Sequence, residues 1–208
     1  MKTAGLITAA GQSLRMGAAK MLLPIDGKPM IARTADVFLR SGVTDLFVVV
    51  GREGDAVISA LAETNARFLW NRDFETTDMF ASIQIGLAAI RREGGFDGAF
   101  LLPGDMPAVP PDVLLRLMAE METGHWDAVF PSTGTRRLHP PLVRADCFGA
   151  IVDYRGEDGL RGAFRSMDVR IGYVLTPEAG CDIDVDTPAD YERVQRHLSA
   201  RGKGGTAT

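Results

Sequence analysis

Cysteine is scarce in this chain of 208 residues: there are two, Cys147 and Cys181, and they form no C-x-x-C pair. That spacing excludes a zinc ribbon or a disulfide framework and suggests a reducing compartment, with each thiol serving as a small packing group. Positive charge is not in excess either, since 23 Lys and Arg stand against 27 Asp and Glu for a net charge of −4, so the basic face of a nucleic-acid binder is missing. No apolar run approaches the roughly 18 residues needed to cross a bilayer, which removes a membrane role. The N-terminus has no charged segment followed by an apolar one and a cleavage site, so the expected location is cytoplasmic. Neither G-x-x-x-x-G-K-[ST] nor G-x-G-x-x-G occurs, which excludes the two commonest phosphate loops. Fixed-period repeats and Pro/Ser-rich linkers are absent as well, leaving one α/β domain over residues 1–200 and a glycine-rich tail, 201–208, expected to be disordered.

What is present begins at Leu6. The run Leu6–Lys20 reads as a buried strand entering a loop with two glycines, a serine, an arginine and a lysine. Gly11 and Gly17 lack Cβ, so the backbone there is free to take positive φ and turn N–H groups toward an anion. Arg15 and Lys20 would add charge, and Ala9, Ala10 and Ser13 complete the loop. Taken alone, a glycine pair with two cations is also what an ordinary strand–helix turn looks like.

Further on, a turn at Asp26-Gly27 is followed by Pro29 opening a helix that runs to about Arg40 and is ended by Gly42. Leu46–Val50 is a continuous β-branched run, the pattern of a strand covered on both faces, which implies a mostly parallel sheet. Helices are expected at Asp55–Glu63, Met79–Arg92 and Pro111–Met121, and strands at Arg67–Trp70 and Ala99–Leu102. The second half is less regular. It reads as short strands at Ala128–Pro131 and Pro141–Val143, helical stretches near Cys147–Tyr154 and Gly159–Ser166, a strand at Val169–Leu175, and a last helix opened by Thr187-Pro188 and ending near Leu198. The predicted architecture is a doubly wound, Rossmann-like α/β sandwich with an acceptor-side elaboration or lid from residues 132–168.

In such a sheet, ligands bind beyond the carboxyl ends of the strands. Asp105 falls there, in Pro103-Gly-Asp-Met-Pro107, where it also fits a plain Gly-Asp turn. Asp184-Val185-Asp186 would point both carboxylates to one side of an extended segment. Converging with Asp105, they would make an oxygen-only site suited to Mg²⁺.

Ala9, Ala10, Gly11, Ser13, Arg15, Met16, Gly17 and Lys20 match without a gap the signature of the MobA-like nucleotidyltransferases, and the chain resembles that family in two further segments. Gly104–Pro107 is similar to its metal-binding Gly-Asp-x-Pro turn, and Asp184–Pro188 to its late Asp-x-Asp-Thr-Pro segment. The resemblance implies a nucleotide-diphospho-sugar transferase fold. It also implies a reaction in which an acceptor's phosphate attacks the α-phosphorus of an NTP and releases pyrophosphate. Lys20, Arg15 and Asp105 would be catalytic. Ala9, Ala10, Gly11, Ser13, Gly17, Asn71 and Ser82 would bind nucleotide, and Asp105, Asp184 and Asp186 would hold Mg²⁺. The acceptor's phosphate is already ionised, so positioning and charge neutralisation would carry the rate without a general base.

Within the family, Ala10 stands where guanylyl-transferring relatives usually have glycine, so the stretch looks like the molybdenum cofactor cytidylyltransferases, with CTP as donor and molybdopterin as acceptor. Leu138–Val143 and Gly156–Arg161 are similar to acceptor-side stretches of those enzymes. By that likeness His139 and Arg161 would bind acceptor, Arg161 gripping its terminal phosphate. His139 reads equally well as a structural loop histidine. Partner molybdoenzymes or chaperones would follow from the same likeness. A guanylyl- or sugar-phosphate nucleotidyltransferase, or a binding protein without turnover, are the alternatives. Asp78-Met-Phe-Ala-Ser82 departs from the usual Gly-Met-Ser-x-Ser, placing new charge and bulk beside the expected base or acceptor pocket. Asn71 is also an ordinary turn residue.

Overall fold

The computed structural model describes residues 1–11, 19–176 and 179–204. In chain order its elements are β1 (Thr3–Ala9), a hairpin of β2 (Pro24–Ile25) and β3 (Lys28–Pro29), α1 (Met30–Arg40), β4 (Asp45–Val50), α2 (Gly54–Ala60), β5 (Arg67–Trp70), α3 (Met79–Glu93), β6 (Gly98–Pro103) and α4 (Pro111–Thr123). There follow β7 (Ala128–Ser132), β8 (Leu142–Arg144), α5 (Phe148–Asp153), α6 (Gly159–Met167), β9 (Ile171–Leu175) and α7 (Pro188–Gly204), with short 3₁₀ turns at Lys20–Leu22, Ala145–Cys147 and Ala179–Asp182. The last helix runs through Gly204 rather than ending near Leu198, so the first four residues of the expected tail are helical. Residues 205–208 lie outside the described residues.

Seven strands form one sheet in the order β5-β4-β1-β6-β8-β7-β9. β1 pairs in parallel with β4 (Ala4 opposite Asp45 through Ala9 opposite Val50) and with β6 (Thr3 opposite Gly98 through Thr8 opposite Pro103). β8 is antiparallel to both of its neighbours, while β7 and β9 are parallel. The sheet is thus a doubly wound, mostly parallel one with a single reversed strand.

Alternation along the strands feeds two apolar layers. Ile7, Val48, Val50, Phe100 and Leu102 point to the α1 and α4 side, where they meet Phe38 and Leu117. Leu6, Phe47, Val49 and Leu101 point the other way, to Leu87 and Ile90 of α3 and Phe148 of α5. Every residue from Leu46 to Val50 is buried, as a strand covered on both faces requires. A fully buried Phe or Leu contributes roughly 1.5–3 kcal/mol, which makes these layers the main stabilising feature. α3 lies close on β1 because Gly86 has no side chain: a Cβ there would sit 2.2 Å from Leu6 Cδ1. Gly42 ends α1 in a left-handed conformation (φ 82°), and Val43 N–H donates to Phe38 O at 3.0 Å while Gly42 N–H donates to Leu39 O at 3.2 Å. That pair of bonds is the glycine-dependent helix stop read from the sequence.

Residues 132–168 are integrated with the body of the domain. β8 inserts between β6 and β7, and α5 and α6 complete the α3 layer, with Gln84 Nε2 donating to the carbonyls of Ile151 and Tyr154 at 3.0 and 2.8 Å. From this stretch Arg136, Arg137, Leu138 and His139 line a cavity with Asp105 beyond β6. A third small apolar cluster, Ile25, Met30, Ile183, Val185 and Val194, fastens α7 and the segment before it against the hairpin and α1. Among the described residues no helix is long and apolar enough to cross a membrane.

Candidate active site at the carboxyl ends of the strands

The carboxyl ends of β1, β5 and β6 open into a cleft of about 560 Å³. Thr8, Ala10 and Gly11 follow β1, Pro103 and Asp105 follow β6, and Asn71, Phe74, Asp78 and Ser82 supply the wall from the β5–α3 side. Lys20 enters from the 3₁₀ turn and Asp186 from the segment before α7.

Lys20 is the electrostatic centre. Only 7% exposed, it donates from Nζ to Asp105 Oδ2 at 2.7 Å and to Asp186 Oδ1 at 2.8 Å. The Asp105 turn that receives it is fixed on several sides. Gly104 N–H donates to Thr8 O at 3.0 Å, continuing the β1–β6 ladder, and the buried Thr34 hydroxyl donates to Gly104 O at 2.8 Å. Val185 N–H donates to Asp105 O at 3.2 Å, so the late aspartate segment is hydrogen-bonded to the turn it was expected to meet. Ile183 and Val185 point inward and Asp184 and Asp186 outward, the period of an extended segment.

Burial acts to lower the pKa of the Lys20 ammonium, but the two carboxylates, Asp105 foremost, outweigh it and the net direction is upward. Burial pushes the Asp105 carboxyl above its ordinary value, and Lys20 offsets this only in part. Asp105 Oδ1 is buried and accepts no hydrogen bond from the described residues. A buried oxygen left without a donor costs stability unless a cation or a donor arrives from outside, so this donor set fits a divalent metal. A cation bound by one or two carboxylates together with nucleotide phosphates is the usual arrangement for magnesium.

The structure departs from the sequence reading at four points. Among the described residues no group of three His, Cys, Asp or Glu side chains is placed to hold a metal, so the expected triad is not assembled. Asp105 and Asp186 meet at Lys20, whereas Asp184 lines a neighbouring cavity of about 410 Å³ and not the Lys20 cleft. Ala9 packs in the apolar core of the α1 side and does not line the cleft. Gly11 does line it but takes no left-handed φ, and a Cβ there would meet no described atom within 4 Å, so positive φ is not what glycine provides at that position. Ser13, Arg15 and Gly17 lie outside the described residues.

The cavity holding Asp184 shares Asp105 and Asp186 with the cleft and adds His139, Asp182, Arg136 and Arg137. His139 N–H donates to Cys181 O at 3.2 Å, Nδ1 is buried without a described partner, and burial lowers the imidazole pKa, keeping the ring neutral at neutral pH. Arg161 is elsewhere. It lines a third groove, of about 760 Å³, with Arg136, Arg137 and Arg165, and neither cavity that contains Asp105 includes it. Arg161, expected to grip the acceptor's terminal phosphate, thus lies in a groove apart from Lys20 and Asp105.

Asn71 Nδ2 donates to Thr77 Oγ1 at 3.0 Å and Ser82 Oγ at 3.2 Å, and Asp73 N–H donates to Asn71 Oδ1 at 3.1 Å. Asn71 and Ser82 thus clamp the β5–α3 connection while lining the cleft. Asp78 is the N-cap of α3, accepting from Ala81 N–H at 3.1 Å, which gives its departure from glycine a local reason. Phe80 does not line the cleft; its ring packs edge-on against Tyr154 at 6.1 Å.

Sequence reasoning missed two contributors. Phe74, the one aromatic in the polar run Asn71–Asp78, lines the cleft, with the Arg52 guanidinium 5.6 Å from its ring centroid. An apolar ring isolated in a polar connection after a strand was the available signal. Asp190 accepts from Thr187 N–H at 2.9 Å and from Asp186 N–H at 3.3 Å, and the hydrogen bond from the Thr187 hydroxyl holds its carboxyl below the ordinary value. With Asp190 N–H donating back to Thr187 Oγ1, this reciprocal cap fixes the backbone that carries Asp186, and Thr-x-x-Asp before a helix announces it.

Comparison with known proteins places these features in a wider group. The family profile described as the MobA-like NTP transferase domain matches residues 5–171. CMP-5'-(3-aminopropyl)phosphonate synthase of Streptomyces rubellomurinus is 32% identical over 168 residues, 76% of this chain; this chain spans only 25% of that relative's length. The molybdenum cofactor cytidylyltransferase of Escherichia coli is 26% identical over 191 residues, 89% of this chain and 92% of the relative. Among solved structures, Rv0371c of Mycobacterium tuberculosis superposes with a TM-score of 0.81 at 24% identity, covering 94% of this chain and 98% of that one. Its manganese complex gives a TM-score of 0.74, also at 24% identity, covering 94% and 99%. At that identity the likeness establishes the fold.

Proposed function

Because this chain belongs to the MobA-like NTP transferase family, we propose that it transfers a nucleoside monophosphate from an NTP to a phosphorylated small molecule and releases pyrophosphate. The donor is CTP, the metal is magnesium, the acceptor is a molybdopterin-type cofactor, and the enzyme works in the cytoplasm. The observation that carries the reading is Lys20 held between Asp105 and Asp186 in a cleft at the carboxyl edge of the sheet, where a doubly wound fold binds nucleotides.

The triphosphate lies over Ala10 and Gly11 with its base toward Phe74. An acceptor oxyanion entering from the His139 side attacks the α-phosphorus. The bond from that phosphorus to the bridging oxygen breaks, and its electron pair leaves with pyrophosphate. Asp105 and Asp186 would hold the divalent cation, which when bound neutralises triphosphate charge and polarises the α-phosphoryl group. Lys20 exchanges a carboxylate for a phosphate oxygen, a charge-assisted bond of similar strength, so the exchange costs little. Neutral His139 places no positive charge against the acceptor and retains a nitrogen for it. No side chain needs to remove a proton.

The likeness to the Streptomyces phosphonate synthase favours a second acceptor class, phosphonates, with the same donor and chemistry. A binding protein without turnover fits less well, since binding alone does not require Lys20, Asp105 and Asp186 to be kept together. The test is pyrophosphate release with ATP, CTP, GTP and UTP in turn, each with magnesium or manganese, and with molybdopterin, sugar phosphates and alkylphosphonates as acceptors. Release with CTP and molybdopterin is the expected result. Release only with another pair reassigns the substrates, and none with any pair removes the transferase reading.

A further inference from the structure

The methyl of Ala10 can separate a pyrimidine from a purine, but it cannot separate cytosine from uracil. Those two bases differ at one edge position, where cytosine presents an amino donor and uracil a carbonyl acceptor. A cleft that prefers CTP therefore needs a fixed acceptor on its wall that no protein donor or cation already satisfies. Along the β5–α3 wall most polar groups are engaged. The Asn71 amide donates to Thr77 and Ser82, and its Oδ1 accepts from Asp73 N–H. The Thr77 hydroxyl donates to Asp73 O at 2.8 Å. Glu75 Oε1 lies 2.6 Å from Arg52 Nη2. Ser82 has a hydroxyl whose proton rotates to suit either base, so it gives no choice between them. Across the cleft, Asp105 and Asp186 face Lys20.

Asp78 differs from all of these. It lines the cleft, commits Oδ1 to the cap bond from Ala81 N–H, and makes no ion pair among the described residues. The cap also fixes how the carboxyl group is turned, because one oxygen is tied to the helix and the other is left over. A carboxylate repels phosphate, so the parts of a nucleotide that suit it are those with N–H or O–H donors. Ribose hydroxyls are common to CTP and UTP, whereas the amino group is not. We propose that Asp78 sets the choice between the two pyrimidines, its free oxygen accepting from the exocyclic amino group of cytosine and repelling O4 of uracil. This rests on the transferase reading of the cleft, with the base toward Phe74 in the same connection, and it gives that reading a physical cause for CTP over UTP. Acceptance of the cytosine amino group by an aspartate is an established mode of base reading, and the unfavourable contact with uracil adds to the discrimination.

Magnesium complexes of CTP, UTP and 2′-deoxy-CTP are titrated calorimetrically into wild type, Asp78→Ser, Asp78→Asn and the control Glu75→Gln. Serine and asparagine both serve as N-caps, so α3 keeps its start. Wild type and Glu75→Gln should bind CTP roughly tenfold or more tightly than UTP, and Asp78→Ser should bring that ratio under about threefold. Asp78→Asn should go further and favour UTP. With its oxygen held by Ala81 N–H, the amide turns its NH₂ to the base, where it donates to O4 and opposes an amino group. Loss of a negative charge acts on both triphosphates alike and cancels in the ratio, which Glu75→Gln checks. Wild type without a CTP preference overturns the proposal, as does a preference that survives in either Asp78 variant or falls equally in Glu75→Gln. A preference for CTP over 2′-deoxy-CTP that disappears with Asp78 while the CTP/UTP ratio holds assigns the carboxylate to the ribose and overturns it as well. If neither CTP nor UTP binds wild type, the transferase reading falls; binding of both with a ratio indifferent to Asp78 removes only the role of Asp78.

Discussion

Replacing Lys20 with methionine removes one charge, keeps an unbranched apolar stem, and tests whether the ammonium between Asp105 and Asp186 is structural as well as catalytic. Read from sequence as a loop cation, Lys20 would cost less than about 0.5 kcal/mol on removal. The structure argues otherwise. At 2.7 Å from Asp105 Oδ2 the gross attraction is about 6 kcal/mol at an effective dielectric near 20. Desolvation of both groups offsets much of it, yet removing one member of a buried pair strands the other, at roughly 3–5 kcal/mol. The Asp186 side chain is 48% exposed, so its arm contributes no more than about 1 kcal/mol. Protonation limits the loss, because burial already pushes the Asp105 carboxyl upward and without Lys20 only the backbone hydrogen bond of its own turn pulls it back. A carboxyl whose folded pKa lies above its unfolded value destabilises the fold when ionised, at higher pH, and that penalty fades as pH falls through the folded pKa. Urea unfolding in EDTA should therefore show Lys20→Met less stable than wild type by about 2–4 kcal/mol at pH 8, and by at least about 1 kcal/mol less than that at pH 5. A loss below 0.5 kcal/mol at pH 8, or one that grows toward acid, refutes the argument. Pyrophosphate release by the variant should fall by two or more orders of magnitude, and a rate within threefold of wild type removes Lys20 from the active site.

Asp105→Asn should abolish divalent-metal-dependent pyrophosphate release, because the amide offers a neutral oxygen where the cation needs charge, while the turn tolerates asparagine; wild-type rate at saturating metal would leave Asp105 a turn residue only. Ala10→Gly should narrow a CTP-over-GTP preference of roughly 10- to 200-fold, the scale of one methyl in a pocket, chiefly by raising the rate with GTP; an unchanged ratio in kcat/KM contradicts the steric reading of Ala10. Asp78→Ala should lose about 1 kcal/mol in urea unfolding, as expected for an N-cap, and a change under 0.3 kcal/mol would mean that the cap does not matter. In a Cys181→Ser background, burial that pushes the Cys147 thiol up to about 11 should slow its reaction with a disulfide reagent at pH 8 by on the order of 100-fold relative to the urea-unfolded chain, and equal rates would show the site to be open.

Features that depend on near neighbours are legible along the chain. The β-branched run Leu46–Val50 specifies a doubly covered strand, Gly42 ends α1, Thr187-Pro188 opens α7, and strand–helix alternation specifies the doubly wound sheet and hence the edge where Lys20 and Asp105 meet. These are consequences of backbone sterics, capping and period, all local in the chain. Tertiary structure alone decided which distant side chains converge. Asp184 and Asp186 share one side of an extended segment, yet only Asp186 lies 2.8 Å from Lys20 Nζ, because the hydrogen bond from Val185 to Asp105 sets the depth of the segment against the turn. The strand Leu142–Arg144 looks unremarkable in sequence, and its reversed insertion beside β6 depends on pairing across more than forty residues. The family likeness gives Arg161 an acceptor-binding role, but the packing of α6 is what puts it in a groove with Arg136 that does not include Asp105. Motif spacing fixes which residue types lie near a turn. The distance between two turns is set by the packed helices and strands between them, and no local pattern encodes it.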